Sequence, residues 1–208
     1  MQPKIAIIAA AAFALALATG PGAGDTLPAL HDVSGVASDD RLNIRTGPGV
    51  DAAVIGRLDH DAAGVEVTAL ADNRRWGRIN TGEGAGWVAL RYLARQDERS
   101  WRDGEWPLRC FGTEPFWSMP LFLPSHRIEF HEPGDGGFEL VADAGALPTT
   151  AFPPTLAVPF SGMREGMVVI RENPACSDGM SDRLYGLEAQ VYWRGDTRGL
   201  SGCCTLAD

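Results

Sequence analysis

The chain has 208 residues, a formal net charge of −9 and four cysteines, with 45% of its residues apolar. An acidic balance of this size repels phosphate, so nucleic acid is expected to be a poor partner. The length allows one or two domains, and the two halves differ enough in character to favour two.

Lys4 supplies a short positive n-region, and residues 5–18 form an uncharged run rich in Ala, Leu and Ile. Ala16-Leu17-Ala18 places small residues where signal peptidase accepts them. Residues 1–18 are therefore expected to be a signal peptide, cleaved at about 18–24. A retained anchor is the competing reading, but spanning a bilayer takes ~20 apolar residues, and Gly20-Pro21-Gly22 ends the run. No cysteine lies near the cleavage region, which excludes a lipid-modified N-terminus. The mature protein is expected to be periplasmic or secreted, with no stable membrane span.

Residues 28–36 read as a loose lead-in without a period. Leu42-Asn43-Ile44-Arg45 then alternates apolar and polar, as a half-buried strand does. Thr46-Gly47-Pro48-Gly49 forces a turn, because proline fixes φ and glycine tolerates positive φ. Further strands are expected at residues 54–58, 64–70, 76–80 and 86–89, separated by Asp72-Asn73 and Gly82-Glu83-Gly84 turns. Short strands with regular turn signals indicate an all-β barrel or sandwich.

Three blocks in this region, LNIRTGPG, RRWGRI and GAGWVALRYL, together resemble the bacterial SH3-like (SH3b) domain. The resemblance covers residues 30–95 and implies a small barrel that attaches other functions to the cell wall or to partner proteins. Trp76, Trp87 and Tyr92 are candidate ligand platforms, since aromatics offer rigid contact area. Arg45, Arg75 and Arg78 are candidates for meeting a carboxylate. The expected ligand set is Arg45, Trp76, Arg78 and Tyr92, against the competing reading that Trp76 and Trp87 are core. Gly47, Pro48 and Gly49 are assigned to scaffold.

Residues 96–106 are dense in charge and read as a solvated linker with at most a brief helical turn. Beyond it, over residues 107–208, strands are expected at 127–131, 137–142, 166–171 and 187–193. In the last, Leu187, Ala189, Val191 and Trp193 share one face. Residues 148–159 hold four prolines, which argues for an extended loop or edge segment. The expected fold class is all-β, an N-terminal SH3-like small barrel followed by a second, disulfide-linked antiparallel β domain.

All four cysteines, Cys110, Cys176, Cys203 and Cys204, fall in the second half. Four allow three connectivities, and a bond between the neighbours Cys203 and Cys204 would close a strained ring. In a strand those two side chains point to opposite faces. Cys176 with Cys203 and Cys110 with Cys204 is favoured, only slightly above the swapped pairing.

The blocks CFGTEPFW at 110–117, CSDGMSD at 176–182 and GCC at 202–204 resemble a family of bacterial envelope proteins without established activity, some of them lipoproteins. This chain departs from the lipoprotein members in lacking a lipobox cysteine. Glu114, Asp178, Ser181 and Asp182 suggest either a weak cation site or an Asx-type turn, and the turn is favoured because the spacing matches no EF-hand. No metal and no cofactor is expected.

Catalytic constellations fail on spacing. His31, His60, His126 and His131 all precede Cys176, so no papain-like order exists. Ser201-Gly202-Cys203 lacks the histidine that an L,D-transpeptidase carries beside its nucleophile. His126 and His131, five apart, fall on opposite faces of a strand, and Ser161 and Ser177 sit in no nucleophile elbow. The expectation is a non-catalytic adaptor that binds cell-wall peptide or an envelope protein. The alternatives are a periplasmic inhibitor of a wall-cleaving enzyme and a wall enzyme with an unrecognised site.

Overall fold

The computed structural model describes residues 26–97, 99–143, 147–149 and 153–206. The expected signal segment lies outside the described residues. The described residues are all-β, with 54% in strands and 5% in helix.

The first half holds eight short strands: β1 (Ala29–Val33), β2 (Arg41–Arg45), β3 (Val54–Asp59), β4 (Val65–Val67), β5 (Ala69–Leu70), β6 (Trp76–Thr81), β7 (Gly84–Ala89) and β8 (Leu93–Arg95). They form a five-stranded sheet, β3-β2-β7-β6-β5, and a three-stranded sheet, β4-β1-β8. Leu42, Ile44, Val67, Ile79 and Val88 fill the core between them. The single strand expected at residues 64–70 is two. Thr68, 2% exposed, marks the corner, where its N–H donates to the Arg78 carbonyl (2.8 Å) as the chain changes sheet. The lead-in expected to lack structure instead contains β1, the centre of the smaller sheet. Its alternation is hidden because Leu30, His31 and Asp32 are all half-buried.

The second half contributes β9 (Leu108–Thr113), β10 (Phe116–Phe122), β11 (Arg127–Glu132), β12 (Asp135–Ala142), β13 (Leu147–Pro148), β14 (Thr155–Gly162), β15 (Gly166–Asn173), β16 (Gly186–Trp193) and β17 (Leu200–Thr205). Their order is β12-β11-β10-β9-β17-β16-β15-β14-β13, and pairing of β12 with β14 closes eight of them into a barrel. Eight strands leave an interior just wide enough for side chains to fill. Leu187, Ala189, Val191 and Trp193 of β16 point into it, as their alternation requires. Trp193 stands edge-on to Phe130 (4.8 Å) and Phe160 (5.2 Å).

The proline-rich stretch is extended, but it leads into a barrel strand. Pro159 lies inside β14, opposite Met167. Its carbonyl accepts from the Asp143 N–H (3.0 Å). In an antiparallel strand a residue's N and C=O face the same side, so the missing N–H falls where β12 has already ended.

Residues 96–106 need correction. Trp101 is fully buried in the barrel core and donates its indole N–H to the Leu27 carbonyl (2.7 Å). A 3-10 turn at Trp101–Asp103, capped by the Ser100 hydroxyl, carries it there. The surrounding charge hides one large apolar anchor, and this segment is no solvated linker.

Cys110 is bonded to Cys204 and Cys176 to Cys203. The alternation of β17 explains the pairing. Cys204 faces the barrel interior, whereas Cys203 faces outward into a small cluster with Cys176, Tyr185 and Phe111.

The outer disulfide fastens a loop, residues 174–185, that grips the first half. The Asp182 N–H donates to the Glu83 carbonyl (2.8 Å) and the Leu184 N–H to Asn80 Oδ1 (2.9 Å). Arg183 Nε donates to the Gly82 carbonyl, and Arg78 Nη2 donates back to the Pro174 carbonyl. A second tie lies elsewhere, where the Glu66 carboxylate accepts from the Thr205 hydroxyl and the Leu206 N–H.

Candidate ligand cleft of the first half

The turn after β2 is held by its own backbone. The Thr46 N–H donates to the Ala53 carbonyl (2.9 Å), and Arg45 Nη1 reaches across to the Ala52 carbonyl (2.7 Å). This fixes the turn as one wall of a cleft of about 910 Å³, which Pro48 and Gly49 help to line. The opposite wall is the turn before β6, where the Arg75 N–H is held by Asn73 Oδ1 (3.0 Å). The 3-10 turn Leu90–Tyr92 closes the end.

Three of the four expected ligand residues, Arg45, Trp76 and Tyr92, converge on this cleft. Trp76 is 8% exposed, so it serves as floor and core together and offers little free face. Tyr92 is half-buried, with the Arg91 guanidinium over its ring (4.7 Å) and donating to its hydroxyl (3.1 Å). Trp87 is half-buried and lies opposite Arg45 and Arg78 in the ladders, outside the lining of this cleft.

Arg78 is the correction. It points toward the second half, where Nε donates to Thr68 Oγ1 (3.1 Å) and Nη2 to Pro174. Burial lowers its guanidinium below the ordinary arginine range. Its role is to join the halves. The tie spans 96 residues, so no local pattern could have revealed it.

The cleft's electrostatics are not apparent from the order of residues in the chain. Arg41, Arg45, Arg74, Arg75 and Arg91 line it against Asp40 and Asp51, reversing locally the sign of an acidic chain. The visible signal is arginine beside two of the expected turns, Arg45 before Thr46-Gly47-Pro48-Gly49 and Arg74-Arg75 after Asp72-Asn73.

The CSDGMSD block is an Asx-type turn. Asp178 Oδ1 accepts from the Met180 N–H (2.9 Å) and the Ser181 N–H (2.8 Å), and Oδ2 from the Tyr185 hydroxyl (2.9 Å). Burial, the largest single influence, pushes this carboxyl up, but those donors together hold it below its ordinary value. His126 Nδ1 is against the Ala142 carbonyl (3.0 Å), while His131 faces Glu129 (3.4 Å). Every cysteine is in a disulfide, which removes each as a thiolate.

Residues 40–94 match the family described as bacterial SH3 domain. That match covers the cleft walls and stops before the barrel. No curated protein and no solved structure matches the chain.

Proposed function

We propose that the chain is an exported, non-catalytic binding protein of the bacterial cell envelope. Residues 30–95 attach it to wall peptide or to an envelope protein. Residues 107–208 form its second working unit, a member of the envelope family that its three cysteine-bearing blocks resemble. The observation that carries the reading is the coincidence of the bacterial SH3 match with a cleft that gathers Arg45, Trp76 and Tyr92. Arginine pairs with carboxylates in a two-pronged geometry, and a half-exposed tyrosine gives a stacking face.

Export is supported by the expected signal at residues 1–18 and by two disulfides, which persist in oxidising compartments. No helix among the described residues is long and apolar enough to cross a membrane.

Cosedimentation with purified wall sacculi, and capture from envelope extract, test the reading. The protein pellets with one of them, and Arg45→Ala with Tyr92→Ala reduces retention roughly tenfold, as loss of a charged and a stacking contact implies. Absence of retention by both preparations contradicts it.

A further inference from the structure

A second concave surface, of about 900 Å³, lies between the halves. One wall is the outer face of β9, β10 and β11, and the other is built from residues 62–66 and 79–82. The ties from Glu66 and from the 174–185 loop set the distance between these walls. The groove is therefore formed before any ligand arrives.

Register orders the barrel wall. Arg109 lies opposite Pro120, Phe111 opposite Ser118, and Thr113 opposite Phe116, while Ser118 is also opposite His131. Alternate residues of a strand are ~7 Å apart, so Arg109 sits ~14 Å along the wall from Phe116. Phe116 is 52% exposed, and Phe111 beside it meets Tyr185 edge-on at 4.9 Å. Arg109 is exposed, and its side chain makes no ion pair or hydrogen bond among the described residues. Glu66, on the facing wall, already accepts two hydrogen bonds. The wall thus runs from a cation, through hydroxyl and imidazole, to an aromatic face.

We propose that this groove is a second binding site, which takes a short extended peptide with its C-terminal carboxylate at Arg109 and an apolar side chain against Phe111 and Phe116. Four extended residues span ~13 Å, which matches the wall. Ser118 and His131 stand where a peptide backbone needs hydrogen-bonding partners. A lipid chain would meet those polar groups unsatisfied. The site is independent of the N-terminal cleft and of the function proposed for it.

Isothermal titration of the purified, disulfide-bonded protein with acetyl-Phe-Ala-Ala-Ala, as free acid and as carboxamide, tests the proposal. The free acid binds about tenfold more tightly, reflecting one charge-assisted pair. Arg109→Ala abolishes that preference, and Phe116→Ala weakens both ligands severalfold. Arg198→Ala, at an exposed arginine outside both concave surfaces, changes neither. Both groove side chains are exposed, and an unchanged near-ultraviolet circular dichroism spectrum confirms that each variant is folded. Equal affinity for acid and carboxamide, retention of the preference in Arg109→Ala, or no binding of either peptide overturns the proposal.

Discussion

A methyl group added at Gly202 would collide with the Phe111 carbonyl and approach the Trp117 ring to 2.8 Å. At Gly112 it would meet the same indole and lie 2.5 Å from the Ser201 carbonyl. Backbone on one side and a packed tryptophan on the other leave no direction of relief. Gly202→Ala is expected to destabilise by about 1–3 kcal/mol or more, read as a lower urea midpoint. Trp76 illustrates a different balance. As a core residue that also floors a cleft, its truncation to Ala costs about 3–5 kcal/mol, so lost binding in that variant would be confounded by unfolding. Arg75→Ala and Tyr92→Ala are the cleaner probes, because neither residue is fully buried. Sequence distinguishes these cases poorly: Trp76 and Trp87 look alike in local pattern, and their burial is decided by packing from other strands.

At the scale of elements, the 174–185 loop depends on one disulfide and one carboxylate. Removing Cys176–Cys203 by a double serine substitution opens a loop whose ends are 27 residues apart. The chain-entropy account gives about 3–4 kcal/mol for a closure of that length. Cys110–Cys204 spans 94 residues and should contribute more, about 4–5 kcal/mol. Calorimetry of the two variants checks the ranking. The Asp178 carboxyl is held below its ordinary value in the folded loop. Its contribution is therefore fully present above the unfolded-state pKa of about 3.9 and is lost as pH falls through the lower folded value. Hydrogen exchange at Met180 and Ser181, corrected for intrinsic rates, should accelerate below about pH 4. Asp178→Asn should abolish that step. Some elements with near partners are legible in the sequence, as β6 with β7 and β15 with β16 show, but the adjacent hairpin β9–β10 is not among the expected strands. β1 and the Trp101 turn were not, because the first is completed by β4 and β8 and the second by a barrel closed from β9 to β17.

For the whole molecule, the all-β class follows from turn spacing and strand alternation, while the SH3-like first half is legible through the resemblance that LNIRTGPG, RRWGRI and GAGWVALRYL carry. Closure of the second half into a barrel, and the joining of the two halves, rest on contacts between distant segments that carry no local signature. Arg78 is the instructive case: an arginine on an expected binding strand spends its donors on Thr68 and Pro174. With Glu66, Trp101 and the 174–185 loop all crossing the boundary, heating should unfold both halves in a single transition. Arg78→Ala combined with Arg183→Ala should separate it into two.

Binding of an envelope ligand in the cleft lined by Arg45, Trp76 and Tyr92, as proposed, would leave a local footprint on the first half. Amide chemical-shift mapping during addition of soluble wall muropeptides and of fractionated envelope proteins reads that footprint. Perturbations clustered on residues 41–51, 73–76 and 89–92 are the predicted result. Shifts confined to other surfaces, or none with either preparation, would contradict it.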